Sequence, residues 1–402
     1  MNVDLMRKID YFVGVPLTFF SSTVFKLLDL ANPCKPVPVK NTLLIELSEM
    51  GSTILVDPAM QKLKKTFDAK LFFVIFSKNK DSLLLLNTVP EENIFALRED
   101  NLLTLVIDVF RFLLWTRKHH IDTVIDLELF SRVTALLSAF SGATNRVGFH
   151  AFFNEGLYRG NMMTHNVAYN AHQHIAKNFV ALVNALIVED KQVPYAKTLV
   201  TDDEIKLNKA IIDKTTQLAV INKIKLMYPH WVQHQKIILV NPNASELLPQ
   251  RRWPVQNFVR LCEDLLAAYP ETIILLTGAP SEQVEAEALK NQVGNERCIN
   301  FAGQVKFLQL PALYSIAELM ITNDSGPGHF SAVTEMPSIV LFGPETPALY
   351  GSLGNSIALF AGLSCSPCVS AANHRETPCT DNLCLQKILP EQVMDAVKKT
   401  LS

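Results

Sequence analysis

Two series of short apolar runs, each separated from the next by an amphipathic stretch, constrain this 402-residue chain more than any other feature. The first series is LLIEL (43–47), KLFFVIF (70–76), NIFAL (93–97), TVIDLEL (123–129) and NRVGF (145–149). The second is KIILVNP (236–242), TIILLTGA (272–279), RCINFAG (297–303), LMITNDS (319–325), SIVLFG (338–343) and SIALFAG (356–362). Such β-branched and aromatic runs lack polar alternation, the pattern of strands covered on both faces in a parallel sheet flanked by helices. The expected fold class is α/β, with two Rossmann-like doubly wound domains in series. Expected boundaries are an apolar N-terminal segment and proline-rich linker over 1–40, a first domain over 41–190, a linker region over 191–235, a second domain over 236–385 and a C-terminal helix over 386–402. That last helix, PEQVMDAVKKTL, is expected to pack back across the linker onto the first domain.

Composition narrows the class. A formal charge of −2 supplies no basic excess of the kind nucleic-acid binding requires, so no nucleic-acid partner is expected. Apolar residues make up 49% of the chain and charged residues 19%, with a mean hydropathy of +0.17, rich for a soluble enzyme. An odd cysteine count of seven, with Cys34, Cys262 and Cys298 scattered through apolar or helical context, points to a reducing compartment and hence to the cytoplasm.

Two segments bear on membranes. YFVGVPLTFFSSTVF (11–25) carries no charge but is shorter than the roughly 20 apolar residues a bilayer-crossing helix needs, and Gly14 and Pro16 interrupt it. It reads as a helix lying on the membrane or packed on the protein body, not as a span. NLLTLVIDVFRFLLWTRKHH (101–120) is apolar for most of its length and closes on basic residues. It reads either as a helix packed between sheet and neighbour or as one whose Arg117 and Lys118 meet anionic headgroups.

Polar residues at strand ends are the candidates for chemistry, because ligands of open parallel sheets bind beyond the carboxyl ends of the strands, here at a cleft the two domains would share. In ITNDSGPGHF, a strand ends at Asp324, and Ser325, Gly326, Pro327 and Gly328 open a helix bearing His329 in its first turn. Backbone N–H groups there suit a phosphate, although Asp324 and Ser325 also read as an ordinary N-cap and His329 as a packed helix residue. In VNPNASELLPQRRWP, a strand runs into a polar loop with Asn243 and Ser245, followed by Arg251 and Arg252 ahead of the next helix. Arginine at a helix start opposes the helix dipole, so it is not there for helix stability. A diphosphate ligand would explain it, and a solvated surface pair is the plain alternative. Gly278, at the end of the 272–279 strand, completes this donor-side set. No G-x-x-x-x-G-K-[ST] and no G-x-G-x-x-G after a first strand is present, which argues against a P-loop NTPase and a nicotinamide or flavin dehydrogenase.

In this order the motifs EMGSTILVDPAM, TVIDLELFSRVTALL, NPNASELLPQRRWP, DSGPGH and PSIVLFGPETP resemble glycosyltransferase family nine, the lipopolysaccharide heptosyltransferases. The resemblance implies a GT-B fold, a glycolipid or polysaccharide acceptor on the first domain and a nucleotide-diphosphate sugar, such as an ADP-activated heptose, on the second. It implies inverting, metal-independent transfer with no cofactor beyond the donor, at the inner face of the cytoplasmic membrane. Arg251 aligns with the family's phosphate-contacting lysine. Asp324 would lie near the sugar or its phosphate link, and His329 would support the turn or the phosphate.

The chain departs from the family at one position. Many members carry Gly-Asp at the start of the first helix, the aspartate being the proposed catalytic base; this chain has Gly51-Ser52. A serine hydroxyl is too weakly basic to replace a carboxylate unaided. The candidate bases are Glu49, just before Gly51, and then Glu128, at the end of a neighbouring strand; Asp57 is expected to face away. Gly51, Ser52 and Arg132 form the acceptor-side set, with Arg132 a candidate for an anionic acceptor group. Two rivals keep the fold: a sugar-nucleotide-binding protein without activity, which Ser52 favours, and an epimerase acting on the donor alone, whose cleft carboxylates and histidines are not evident. Finally, Cys365, Cys368, Cys379 and Cys384 have spacing that permits zinc, with reduced thiols the default.

Overall fold

A computed structural model describes residues 3–33, 35–47, 50–150, 158–188, 192–232, 235–370, 373 and 375–401. The chain divides into two compact units, residues 1–206 and 207–402.

In the first unit, six parallel strands stand in the order β3-β2-β1-β4-β5-β6: β1 (Asn41–Ile45), β2 (Lys70–Phe76), β3 (Ile94–Leu97), β4 (Thr123–Asp126), β5 (Asn145–Phe149) and β6 (His165–Val167). Its helices are α1 (Val3–Phe12), α2 (Gly14–Ala31), α3 (Met50–Leu55), α4 (Asp57–Phe67), α5 (Asp81–Leu84), α6 (Leu102–Lys118), α7 (Arg132–Phe140) and α8 (Ile175–Asn184). In the second unit the order is β12-β11-β10-β7-β8-β9, all parallel: β7 (Lys236–Asn241), β8 (Thr272–Leu276), β9 (Cys298–Asn300), β10 (Leu319–Asn323), β11 (Ser338–Phe342) and β12 (Ser356–Phe360). Its helices are α9 (Lys214–Met227), α10 (Val255–Ala268), α11 (Gln283–Val293), α12 (Leu310–Tyr314), α13 (Gly326–Phe330), α14 (Pro347–Tyr350), α15 (Leu383–Gln386) and α16 (Pro390–Leu401).

Every apolar run read as a strand is one. Several stop short of their expected ends, because the tails at 127–129, 277–279 and 324–325 leave the sheet for loops. The central strands are buried on both faces: Leu43, Leu44 and Ile45 of β1, and Ile238, Leu239 and Val240 of β7, are inaccessible to solvent. The sixth strand of the first unit, β6, was not expected; it is a three-residue edge strand of sequence HNV with no apolar run to announce it.

Two expectations are corrected. Gly14 and Pro16 mark the junction of α1 and α2, as expected, but do not end the apolar N-terminal segment. Those residues open α2, where the first-turn N–H groups need no intrahelical acceptor and proline is tolerated. The helical stretch Leu5–Ala31, 27 residues with a mean hydropathy of 1.4, is therefore long and apolar enough to cross a bilayer by length and composition. Its uncharged middle, residues 11–25, is by itself too short to cross. The C-terminal helix α16 buries Val393, Met394, Ala396 and Val397 in the core of the second unit, together with Phe258, Leu261, Cys262 and Leu265 of α10. Its apolar stripe is satisfied inside its own unit.

Candidate functional site

Each sheet has one point where the strand order reverses, between β1 and β4 in the first unit and between β7 and β10 in the second. Ligand crevices of open parallel sheets form beyond the carboxyl ends of the strands at such points. The sequence candidates fall at both.

In the first unit, β1 leads through Leu47 into α3, which carries Gly51, half-buried, and Ser52, buried. Glu49 lies outside the described residues. Glu128, two residues past β4, accepts a hydrogen bond on Oε1 from the Leu47 N–H at 2.9 Å, while its own N–H donates to Asp126 Oδ1 at 3.2 Å. The carboxylate thus tethers the end of β1 to the end of β4. Asp126 is fully buried and paired with Arg159, whose guanidinium also donates to the Ser131 and Phe149 carbonyls and to Thr134 Oγ1. Asp57 is fully buried at the start of α4, takes a hydrogen bond from the Thr88 hydroxyl, and burial pushes its carboxyl above the usual range. Arg132 opens α7, is only 3% exposed, and is engaged by Asp10 of α1, Nη1 to Oδ2 at 3.0 Å.

In the second unit, Asp324 and Ser325 follow β10 directly. The Ser325 hydroxyl donates to the Asn323 carbonyl at 3.2 Å and does not cap the helix. The helix it precedes, α13, is five residues long and carries little dipole, so an anion here would be met chiefly by the backbone of the tight turn. That tightness is explicit in the glycines. A Cβ on Gly326 would stand 2.8 Å from the Phe330 ring, and one on Gly328 would stand 3.2 Å from Val340. Pro327 sits in the first turn, and half-buried His329 lines a small crevice with Asp324, Ser325, Gly328 and Tyr350.

The two arginines differ. Arg252 donates from Nε and Nη2 to the Ala244 carbonyl at 3.2 and 3.0 Å, and so holds the loop that follows β7. Arg251, on the short turn Pro249–Arg251, turns toward the end of β10. Its Nη2 lies 2.6 Å from Glu345 Oε1 and its Nε 3.5 Å from Asp324 Oδ2. Arg251 and Asp324 are thereby brought together. Asn243 is buried in the loop after β7, Ser245 is exposed and accepts from the Leu247 N–H at 3.2 Å, and a Cβ on Gly278 would meet Asn243 Nδ2 at 2.9 Å.

Two residues of this site escaped the sequence reading. Asn323 accepts the Trp253 N–H at 3.0 Å and donates to the Pro242 carbonyl at 2.8 Å, locking the arginine loop to β10. Glu345, in the turn after β11, is 1% exposed and takes both Arg251 and Arg375. The only sequence signal was an acidic residue within the glycine- and proline-marked turn GPETP.

The four C-terminal cysteines are free thiols; Cys384 is buried, and burial, with Cys368 and Cys379 nearby, pushes its thiol up. Cys365 is exposed, Cys368 Sγ lies 3.7 Å from the Thr377 hydroxyl, and Cys379 Sγ donates to the Asp381 carbonyl at 2.9 Å. Among the described residues, no group of three or more histidine, cysteine or acidic side chains is placed to hold a metal ion.

A family model for glycosyltransferase family 9 (heptosyltransferase) matches residues 111–377, about two thirds of the chain. The lipooligosaccharide heptosyltransferase 2 of Campylobacter jejuni serotype O:6 is 28% identical over 185 residues, 44% of this chain, and the chain spans only 55% of that relative's length. The lipopolysaccharide heptosyltransferase 1 of Campylobacter coli is 23% identical over 371 residues, 89% of this chain and 97% of the relative. The Escherichia coli ADP-heptose lipopolysaccharide heptosyltransferase II shares the fold, with a TM-score of 0.66 over 90% of this chain and 98% of that one, at 17% identity. The two sheets and their helices are those of GT-B heptosyltransferase structures, and the chain belongs to glycosyltransferase family 9, the heptosyltransferases.

Proposed function

We propose that the protein is an inverting, metal-independent glycosyltransferase that moves heptose from an ADP-activated donor to a lipopolysaccharide-type, lipid-linked acceptor. The observation that carries this reading is the placement of Arg251 beside Asp324 at the end of β10. An acceptor hydroxyl attacks the anomeric carbon, a carboxylate takes its proton, and the C–O bond to the nucleoside diphosphate breaks. The charge developing on the diphosphate is met by Arg251 and by the backbone N–H groups of Ser325 and Gly326, Pro327 having none and that of Gly328 bonding the Ser325 carbonyl. Names of the relatives supply the heptose and the lipopolysaccharide; the turn chemistry supplies only the diphosphate.

The base is a carboxylate other than the family's aspartate, since Ser52 stands there. Glu49 is the first candidate. Glu128 is the second, since it stands just past the end of β4, tied to the end of β1 by the hydrogen bond from Leu47. The test is turnover of ADP-heptose with heptose-deficient lipopolysaccharide, for wild type, Glu49→Gln and Glu128→Gln, with and without chelator. Release of ADP with formation of the opposite anomer, lost in one of the two variants, supports the assignment. Ser52 also favours a sugar-nucleotide-binding protein without activity. That reading wins if ADP binds but no acceptor is glycosylated.

The acceptor is amphiphilic, and the first unit presents apolar surface suited to it. Along α2, Phe19, Phe20, Leu27 and Leu28 are exposed, and along α6, Leu103, Phe110 and Leu114 are exposed beside Arg111, Arg117 and Lys118. We infer peripheral contact with the cytoplasmic face of the membrane through these two helices.

A further inference from the structure

We propose that a cleft at the amino ends of β1, β4 and β5 binds the phosphate-bearing headgroup of an anionic lipid, whose apolar part lies along α6. The inference rests on the membrane contact proposed above and adds a specific site to it, at the sheet edge opposite Ser52 and Glu128.

The cleft has a volume of about 480 Å³ and lies where Lys40 leads into β1, where α6 ends, and where the loop after α7 enters β5. Lys40, Arg117 and His120 line it, and Asp122 is the one acid among its described lining residues. That carboxylate is committed to the chain around it. It accepts the backbone N–H of Lys40 at 3.2 Å, that of Asn41 at 2.7 Å and the Thr123 hydroxyl at 2.7 Å. Among the described residues, none of the side chains of Lys40, Arg117 and His120 makes an ion pair.

Arg117 is held in place with donors to spare. Its Nη1 donates to the Leu113 carbonyl at 3.0 Å and to the Thr116 hydroxyl at 3.3 Å, which leaves Nε and Nη2 for a ligand. Gly142, at a φ of +90°, brings the loop after α7 against the guanidinium, where a Cβ would stand 3.6 Å from Cζ. A planar fork fixed in this way suits a pair of phosphate oxygens, and Lys40 adds a point charge. Arg117 in the last turn of α6 also complements the helix dipole. That role does not account for Lys40, which belongs to another element, or for the cleft between them.

The second observation is the face that leads into the cleft. Leu103, Ile107, Phe110 and Leu114 are exposed, and with Arg117 they fall within about 80° of one helical face. The opposite face carries buried Asp108, Phe112 and Thr116, so the core does not require the exposed stripe to be apolar. A soluble phosphate would make no use of that stripe. An apolar stripe that ends in a cationic cleft matches an amphiphile with a negative headgroup.

The experiment is calorimetric titration of the full chain with monomeric dihexanoylphosphatidylglycerol, with dihexanoylphosphatidylcholine and with glycerol phosphate, for wild type, Lys40→Gln, Arg117→Gln and Lys70→Gln. Thermal unfolding is the fold control, and Lys40→Gln, at an exposed side chain, keeps the test open if the Arg117→Gln protein does not fold. Saturable binding of one anionic lipid per chain is expected, weakened about fivefold by each cleft substitution. Lys70→Gln removes a charge from the same sheet edge outside the cleft and should weaken it least. The choline lipid and glycerol phosphate should bind about tenfold more weakly, one lacking the net charge and the other the apolar part. Glycerol phosphate bound as tightly as the lipid would make this a site for soluble phosphates and overturn the lipid assignment. No binding of the anionic lipid, no loss in either cleft variant, or an equal loss in Lys70→Gln overturns the cleft itself. Sedimentation with phosphatidylglycerol vesicles separates the two claims. If wild type and both cleft variants sediment alike, the membrane contact stands without the cleft; if wild type does not sediment, the membrane contact falls.

Discussion

Asp10 of α1 grips the start of α7 through Arg132. Its Oδ2 lies 3.0 Å from Arg132 Nη1, and its Oδ1 accepts the Arg132 and Val133 backbone N–H groups at 2.8 and 2.9 Å. One carboxylate thus caps a helix and neutralises a buried guanidinium. In this structure the N-terminal helix occupies the position where the resemblance placed an anionic acceptor group. Asp10→Asn is expected to destabilise the first unit by about 1–3 kcal/mol, since it weakens a cap and leaves Arg132 short of its counter-charge. Chemical denaturation reads the loss, and amide exchange localises it to α1 and the first turn of α7. An unchanged midpoint with unchanged exchange would show that the contact contributes nothing.

The same docking depends on two close backbone approaches. A Cβ on Gly14 would stand 2.8 Å from Arg132 Cβ, and one on Gly160, at a φ of +79°, would stand 2.6 Å from Ser22 Oγ and 3.0 Å from the Thr18 carbonyl. The Ser22 hydroxyl is already taken, accepting the Asn161 N–H at 2.7 Å. Gly160→Ala should therefore cost about 1–3 kcal/mol through strain and overpacking together. Faster proteolysis within α2 relative to wild type is the expected readout, and equal rates would contradict it.

Arg98 clasps Asp108 of α6 with two side-chain bonds, Nε to Oδ2 at 2.8 Å and Nη2 to Oδ1 at 2.7 Å, with its backbone N–H added at 3.0 Å. These bonds pull the Asp108 carboxyl down to about 2. A carboxyl depressed on folding contributes fully above its unfolded value near 4, and that contribution is lost as pH falls from about 4 through 2. Asp108→Asn should cost about 1–2 kcal/mol at pH 7, toward the low end because Arg98 is half exposed, and the difference from wild type should shrink below pH 4. Urea midpoints at pH 7, 4 and 3 measure it; a gap that widens on acidification would refute the pairing.

The membrane inference makes a separable claim. Phe20 of α2 and Leu114 of α6 are 66% and 71% exposed, so replacing either by glutamate should leave the melting temperature nearly unchanged. Each should nonetheless reduce co-sedimentation with vesicles containing anionic lipid by about tenfold, the equivalent of one large apolar side chain removed from the lipid. Sedimentation equal to wild type for both variants would remove these helices from the membrane contact.

Much of this was legible beforehand because it is local. The strands announced themselves by runs such as KLFFVIF, and the tight turn at Asp324–Gly328 by its glycines and proline. Boundaries were less legible where a run goes on apolar past its ladder, as at Leu127–Leu129, since hydrophobicity does not say where a ladder stops. β6 left no signal, because a three-residue edge strand needs only a neighbour with unpaired backbone groups. α6 shows how composition can mislead: it is apolar almost throughout, yet it buries Asp108 and Thr116 and exposes Leu103, Phe110 and Leu114.

The sequence by itself determined the class of fold, the order of elements and the family, since periodicity, turn chemistry and ordered motifs are carried by neighbouring residues. Only the tertiary structure decided which charges meet. It bound Arg132 to Asp10, Glu128 to the Leu47 amide, and both Arg251 and Arg375 to Glu345. Each of these joins elements far apart in the chain that packing brings together at the end of a sheet or the start of a helix. A buried charge takes the partner that folding places within reach, and no local pattern records which one that is.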